Sequence, residues 1–114
     1  MKPTLYTAFV SGAAGSNIIL LYFSDTLMAG VDSGGGKYRG HGERLPSGSV
    51  KGTIVLTVPA GQPLITGMPP LTQPTDIPMS FELPPNFDDG KMVVPMTTPL
   101  GPVNVRFEKF MEVA

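Results

Sequence analysis

A chain of 114 residues has the length of one domain, and residues 1–114 read as a single one. Its formal net charge is −1, from 8 basic and 9 acidic residues, so no global field draws it to nucleic acid or to an anionic membrane. It has no cysteine, which excludes disulfides, thiolate metal ligands and a cysteine nucleophile.

Apolar residues make up 41% of the chain and charged ones 15%, which places it among folded domains and not disordered segments. The 14 glycines and 13 prolines fall mostly between alternating apolar runs, as turn punctuation of an all-β domain. The opening Met1-Lys2-Pro3-Thr4-Leu5-Tyr6 holds no apolar signal core. The longest apolar run, Ile18 to Phe23, is far too short to span a bilayer as a helix. The expectation is a cytoplasmic protein with no membrane insertion and no nucleic-acid partner.

Eight strands are predicted in chain order. Leu5 to Val10 is the first, and a small-residue turn leads to Asn17 to Phe23. Ser24-Asp25 suits a tight hairpin into Thr26 to Val31. Asp32-Ser33-Gly34-Gly35-Gly36 turns the chain into Lys37 to Glu43. Leu45-Pro46-Ser47-Gly48 then leads into Ser49 to Val58, the clearest alternation of apolar and polar positions. After a long connection come Asp76 to Leu83, the turn Asn86-Phe87-Asp88-Asp89-Gly90, Lys91 to Thr97, and Val103 to Phe110. Eight short strands with mostly short links predict an antiparallel up-and-down β-barrel, because closure removes the unpaired edges.

Parity predicts which side chains point inward. The set includes Ile54, Leu56, Ile77, Met79, Phe81, Met92, Val94, Met96, Val103, Val105 and Phe107. An interior of this kind is either a packed core or a lumen that takes one small apolar ligand. Ile54, Leu56, Met79, Phe81, Met92, Val105 and Phe107 are the candidate lumen lining. Pro78 and Pro95 sit at outward parity in successive strands, where a missing N–H predicts a bulge or an opened seam.

Two segments depart from the pattern. Ile18-Ile19-Leu20-Leu21-Tyr22-Phe23 is apolar on both faces, so its outer face needs a cover. A homodimer contact through Ile19, Leu21 and Phe23 is one reading, and a loop or the C-terminal segment of the same chain is the other. The connection Pro59 to Thr75 is long and carries five prolines with Leu64, Ile65, Met68 and Leu71 between them. Those four apolar residues are candidates for a contact, over a barrel mouth, with a partner or with the chain's own barrel.

No constellation points to catalysis. Gly34-Gly35-Gly36-Lys37 is followed by Tyr38 inside a strand, which is not the spacing or context of a phosphate-binding loop. His41 is the only histidine and has no acidic cluster beside it in sequence, so it makes no multi-histidine metal site. Arg39, His41 and Glu43 share one face as a modest polar patch, and Asp88-Asp89 belongs to a turn. The expectation is therefore no enzyme, no catalytic residue, no metal and no cofactor.

Three pieces carry a resemblance. They are Thr4-Leu5-Tyr6-Thr7-Ala8-Phe9, the stretch Met28-Ala29-Gly30-Val31-Asp32-Ser33-Gly34-Gly35-Gly36-Lys37-Tyr38-Arg39-Gly40, and Gly48-Ser49-Val50-Lys51-Gly52-Thr53-Ile54-Val55-Leu56. In this order they resemble the GrlR-like family, negative regulators of type III secretion and their bacterial relatives. The resemblance covers the first half of the chain and extends over the second half by strand pattern only. It implies a lipocalin-like, calycin-type eight-stranded barrel, usually a dimer, that acts through protein contacts. Asp32, Ser33, Gly34, Tyr38 and Gly40 match the family's turn and strand, in structural roles. One departure matters. The enterobacterial regulator carries a short acidic run toward its activator partner, and Glu43-Arg44-Leu45-Pro46 has a single acid there. That partner does not carry over. The expectation is a non-enzymatic, dimeric protein-interaction module, a negative regulator with some protein partner. The alternative is a carrier or sensor of a small apolar ligand or lipid in the barrel lumen.

Overall fold

The computed structural model describes residues 2–25 and 27–113. It has eight strands: β1 (Thr4–Gly12), β2 (Gly15–Phe23), β3 (Met28–Asp32), β4 (Lys37–Arg44), β5 (Val50–Val58), β6 (Thr75–Leu83), β7 (Asp89–Thr98) and β8 (Gly101–Glu112). All eight predicted strands are present. The third begins at Met28, and Thr26, where it was expected to start, lies outside the described residues. No helix occurs among the described residues, and so none is long and apolar enough to cross a membrane.

The strands form one antiparallel sheet in the order β6-β5-β4-β3-β2-β1-β8-β7. Each strand pairs with its neighbour in sequence except β6 with β7, while β8 returns to pair with β1. The sheet is therefore strongly curled but open, and the closed barrel expected from the sequence is corrected at this one seam. The residues of the seam supply a reason. Pro78 lies in β6 and Pro95 in β7, so each facing edge lacks an N–H near its middle. On their inner sides both prolines keep register, Val55 opposite Pro78 and Pro95 opposite Asn104, so the irregularity is the open seam and not a bulge at either proline. The register shifts lie elsewhere, at Leu5/Tyr6 against β8 and between Asp89 and Val93 at the start of β7.

The alternation sorts the side chains. Tyr6, Ala8 and Val10 of β1, Ile54, Leu56 and Val58 of β5, and Val105 and Phe107 of β8 are buried inside the curl. The two open ends of the curl are stopped by different connections. At one end the β6–β7 connection inserts Phe87, 1% exposed, edge-on to Phe107 at 5.3 Å and tilted against Tyr6 at 5.6 Å. At the other end the β5–β6 connection folds back, where Leu64 and Leu71 pack on Leu56, Val58 and Ile77.

Glycine makes the tightest part of the curl possible. A Cβ on Gly40 would stand 2.1 Å from the Thr53 carbonyl oxygen, and one on Gly52 would stand 2.2 Å from that of His41. Over Gly42 and Gly52 the rings of Phe23 and Phe81 approach to 2.8 Å of the same imagined atoms. Backbones of β4 and β5 thus come closer than any side chain at these positions would permit, and aromatic rings fill the space above them.

Candidate functional site

Inside the curl lies a cavity of about 190 Å³. Its wall is built from alternate residues of most strands, including Ala8, Ile19, Leu21, Leu56, Met79 and Val105. Period two makes this automatic, since every second residue of each strand faces the same interior. The Phe87 end is filled by core packing. At the opposite end the cavity meets the segment 59–66 of the β5–β6 connection, which contributes Pro63, Leu64, Ile65 and Thr66 to the lining.

That segment is held in place. Ala14 N donates to Ile65 O at 2.7 Å, which ties it to the β1–β2 turn. Gly61 N donates to Leu71 O at 2.9 Å and Gly67 N to Leu64 O at 3.1 Å, which fold the segment on itself. Gly12 lies so close beneath it that a Cβ there would stand 2.5 Å from Ile65 O.

The polar groups of the cavity collect near the same end. Asp32 closes the β3–β4 turn: its Oδ1 accepts from Gly34 N at 2.9 Å and Gly36 N at 2.8 Å. Its Oδ2 accepts from the Tyr38 hydroxyl at 2.8 Å. Burial above all, then the hydrogen bond to Asp32 and its negative charge, hold the Tyr38 phenol well above its ordinary pKa. Two backbone amides of the Gly-Gly-Gly turn, Gly34 N and Gly36 N, are thus engaged by the Asp32 carboxylate, and the third, Gly35 N, donates to the Asp32 carbonyl at 3.1 Å. Asn17 Oδ1 accepts from Ile18 N at 2.9 Å and Ser33 N at 3.2 Å and bonds the Ser33 hydroxyl. Thr98 Oγ1 donates to Gly101 O at 2.7 Å and accepts from Leu100 N at 3.1 Å.

The sequence-derived site residues divide as follows. Ile54, Leu56, Met79, Phe81, Val105 and Phe107 all line the cavity, whereas Met92 packs on the neighbouring core and is not part of the wall. Of the four loop candidates, Leu64 and Ile65 line the cavity, Leu71 packs from the connection onto Leu56, Val58 and Ile77, and Met68 is exposed. The proposed dimer face is corrected. Leu21 is 6% and Phe23 1% exposed, and Ile19 and Leu21 line the cavity, so these three belong to the interior. The outward residues of this doubly apolar strand are Ile18 and Leu20, joined by Val31 directly opposite Leu20 on β3. They are 49%, 44% and 53% exposed. The error is one of parity: a one-residue slip exchanges the two faces of a strand, and a strand apolar on both faces gives no sign of which is which.

Sequence reading missed Ala8, Val10, Ile19 and Leu21 as lining. It also missed Thr66, whose only signal is a hydroxyl among prolines. His41, Arg39 and Glu43 lie exposed on the outer face of β4, away from the cavity. Asp89 serves its turn, its Oδ1 accepting from Lys91 N at 2.7 Å and Met92 N at 2.8 Å. Those two backbone bonds, Lys91's first, hold its carboxyl below the usual carboxylate range.

Fold and cavity define the class: an all-β protein of one curled antiparallel sheet around an apolar interior. Comparison with protein-family models, with curated proteins and with solved structures gives no match to this chain.

Proposed function

We propose that the protein is a non-enzymatic binding module whose lumen takes one small, largely apolar molecule. The observation that carries this reading is the apolar cavity of about 190 Å³ beneath the 59–66 segment. Its wall is almost wholly apolar, and apolar surface of this kind gains more from contact with a guest's carbon atoms than from water. Eight strands around a ligand-sized lumen are also what a lipocalin-like barrel provides. The test is a titration of the ¹⁵N-labelled protein with p-xylene. Saturable shifts at the amides of Leu56, Ile65 and Val105 are expected; a spectrum unchanged up to the solubility limit rejects the reading.

A second reading has its own support. Ile18, Leu20 and Val31 form a contiguous exposed apolar group on neighbouring strands. Exposed apolar groups of this kind mark interaction surfaces. A second copy of the chain is the occupant we favour, which agrees with the dimeric, regulator-like behaviour that the resemblance to the GrlR-like family implies. The two readings are compatible, since one uses the inside of the sheet and the other its outside.

A further inference from the structure

We infer that Thr66 is the polar contact of the cavity, hydrogen-bonding the single neutral hydroxyl or carbonyl group of an otherwise apolar guest. This rests on the lumen-binding reading above and names the class of molecule it would take.

The inference follows from which polar groups in the lining are already engaged. Asn17 and Asp32 accept from backbone amides, Tyr38 donates to Asp32, and Thr98 bonds both Gly101 and Leu100. Gln62 is exposed. Thr66 Oγ1 is different: it is buried and has no hydrogen-bond partner, alone in this among the side-chain atoms of the described residues. Buried hydroxyls are normally bonded; Thr66 lines the cavity while its Oγ1 is shielded from it at rest, so on this reading a turn about χ1 presents the hydroxyl to a guest inside. The position of Thr66 is set by packing. Gly101 approaches so closely that a Cβ there would stand 3.2 Å from Thr66 Cβ, and the adjoining Ile65 is anchored to Ala14.

Chemistry narrows the guest further. The Asp32 carboxylate lies at the same end and disfavours an anionic head. Three donors already satisfy that carboxylate, so it does not solicit a cation. A neutral head remains. An apolar cavity of about 150 Å³ takes benzene, so about 190 Å³ suits a single substituted ring or a short branched chain.

The experiment uses p-cresol and p-xylene, a pair of nearly equal shape that exchanges one hydroxyl for a methyl. Dissociation constants are measured by calorimetry for the unaltered protein, Thr66→Val and Thr66→Ser. Thr66→Val is expected to weaken p-cresol relative to p-xylene by about tenfold, as loss of one buried hydrogen bond does; Thr66→Ser is expected to retain the ratio. An unchanged ratio in Thr66→Val, with both probes still bound, overturns the role of Thr66 and leaves the lumen site standing. Failure of both probes to bind the unaltered protein overturns both. A readout that needs no variant is the nuclear Overhauser contact in the p-cresol complex. Ring protons beside the hydroxyl should contact the Thr66 methyl, and a guest bound with its methyl end there contradicts the inference.

Discussion

Asp32 and Tyr38 show how a turn residue can organise a site without entering its chemistry. One carboxylate accepts three hydrogen bonds and so fixes both the β3–β4 turn and the tyrosine at the cavity wall. Tyr38→Phe should cost about 1.5–3 kcal/mol, the range for a hydrogen bond to a charged group, measured by urea unfolding at neutral pH. The same pair makes stability depend on pH. The folded pKa of Tyr38 is raised above its unfolded value. Its contribution is therefore whole below about pH 10 and is lost as pH rises from there toward the folded value. Stability of the unaltered protein should fall above about pH 10, and Tyr38→Phe should fall less steeply. The slope should not vanish, because Tyr6 is also raised, chiefly by burial. Equal slopes in the two proteins would remove Tyr38 from the explanation. Gly40 makes a sharper test of geometry. Gly40→Ala places a methyl against the Thr53 carbonyl and should destabilise by about 3 kcal/mol or more, seen as a lowered thermal midpoint.

At the scale of elements, the connections matter as much as the strands. The β6–β7 connection is only a turn in sequence, yet it delivers Phe87 into the core between Tyr6 and Phe107. Its lead-in is local: Phe87 N donates to Pro84 O at 3.1 Å and Asp89 N to Asn86 O at 3.2 Å, which winds the turn so that the ring points inward. Phe87→Ala should cost about 3–5 kcal/mol in equilibrium unfolding; a loss under about 1 kcal/mol would mean that the ring is not part of the core. The β5–β6 connection does the corresponding work at the other end, with prolines that lessen the entropy lost when it is ordered. It gives the cavity a cover made of chain, where Phe87 gives the opposite end a plug.

Across the described residues, the open seam and the exposed face of β2 and β3 are two places where the sheet is unfinished. The seam is guarded by Pro78 and Pro95, which deny an incoming strand a continuous row of donors. The outer face has no such guard, since Ile18, Leu20 and Val31 present apolar surface. The dimer reading therefore predicts that sedimentation at high protein concentration detects a dimer and that Leu20→Lys returns it to a monomer without loss of thermal stability. A monomer throughout rejects that reading and leaves the lumen untouched.

Eight strands, their order along the chain and most of their inward residues were legible in the sequence, because burial on one face of a sheet imposes a period of two that a chain cannot hide. Ile54, Leu56, Val105 and Phe107 could be placed that way. Tertiary structure alone decided three things. It chose the inner face of β2, since Ile18 to Phe23 is apolar on both faces and parity has nothing to choose between. It left β6 and β7 apart, since pairing depends on whether two distant edges meet with matching donors, and the prolines and Phe87 act only in that encounter. And it set Thr66 against the cavity, because where a long proline-rich connection comes to rest depends on hydrogen bonds such as Ala14 to Ile65, made between residues some fifty positions apart in the chain.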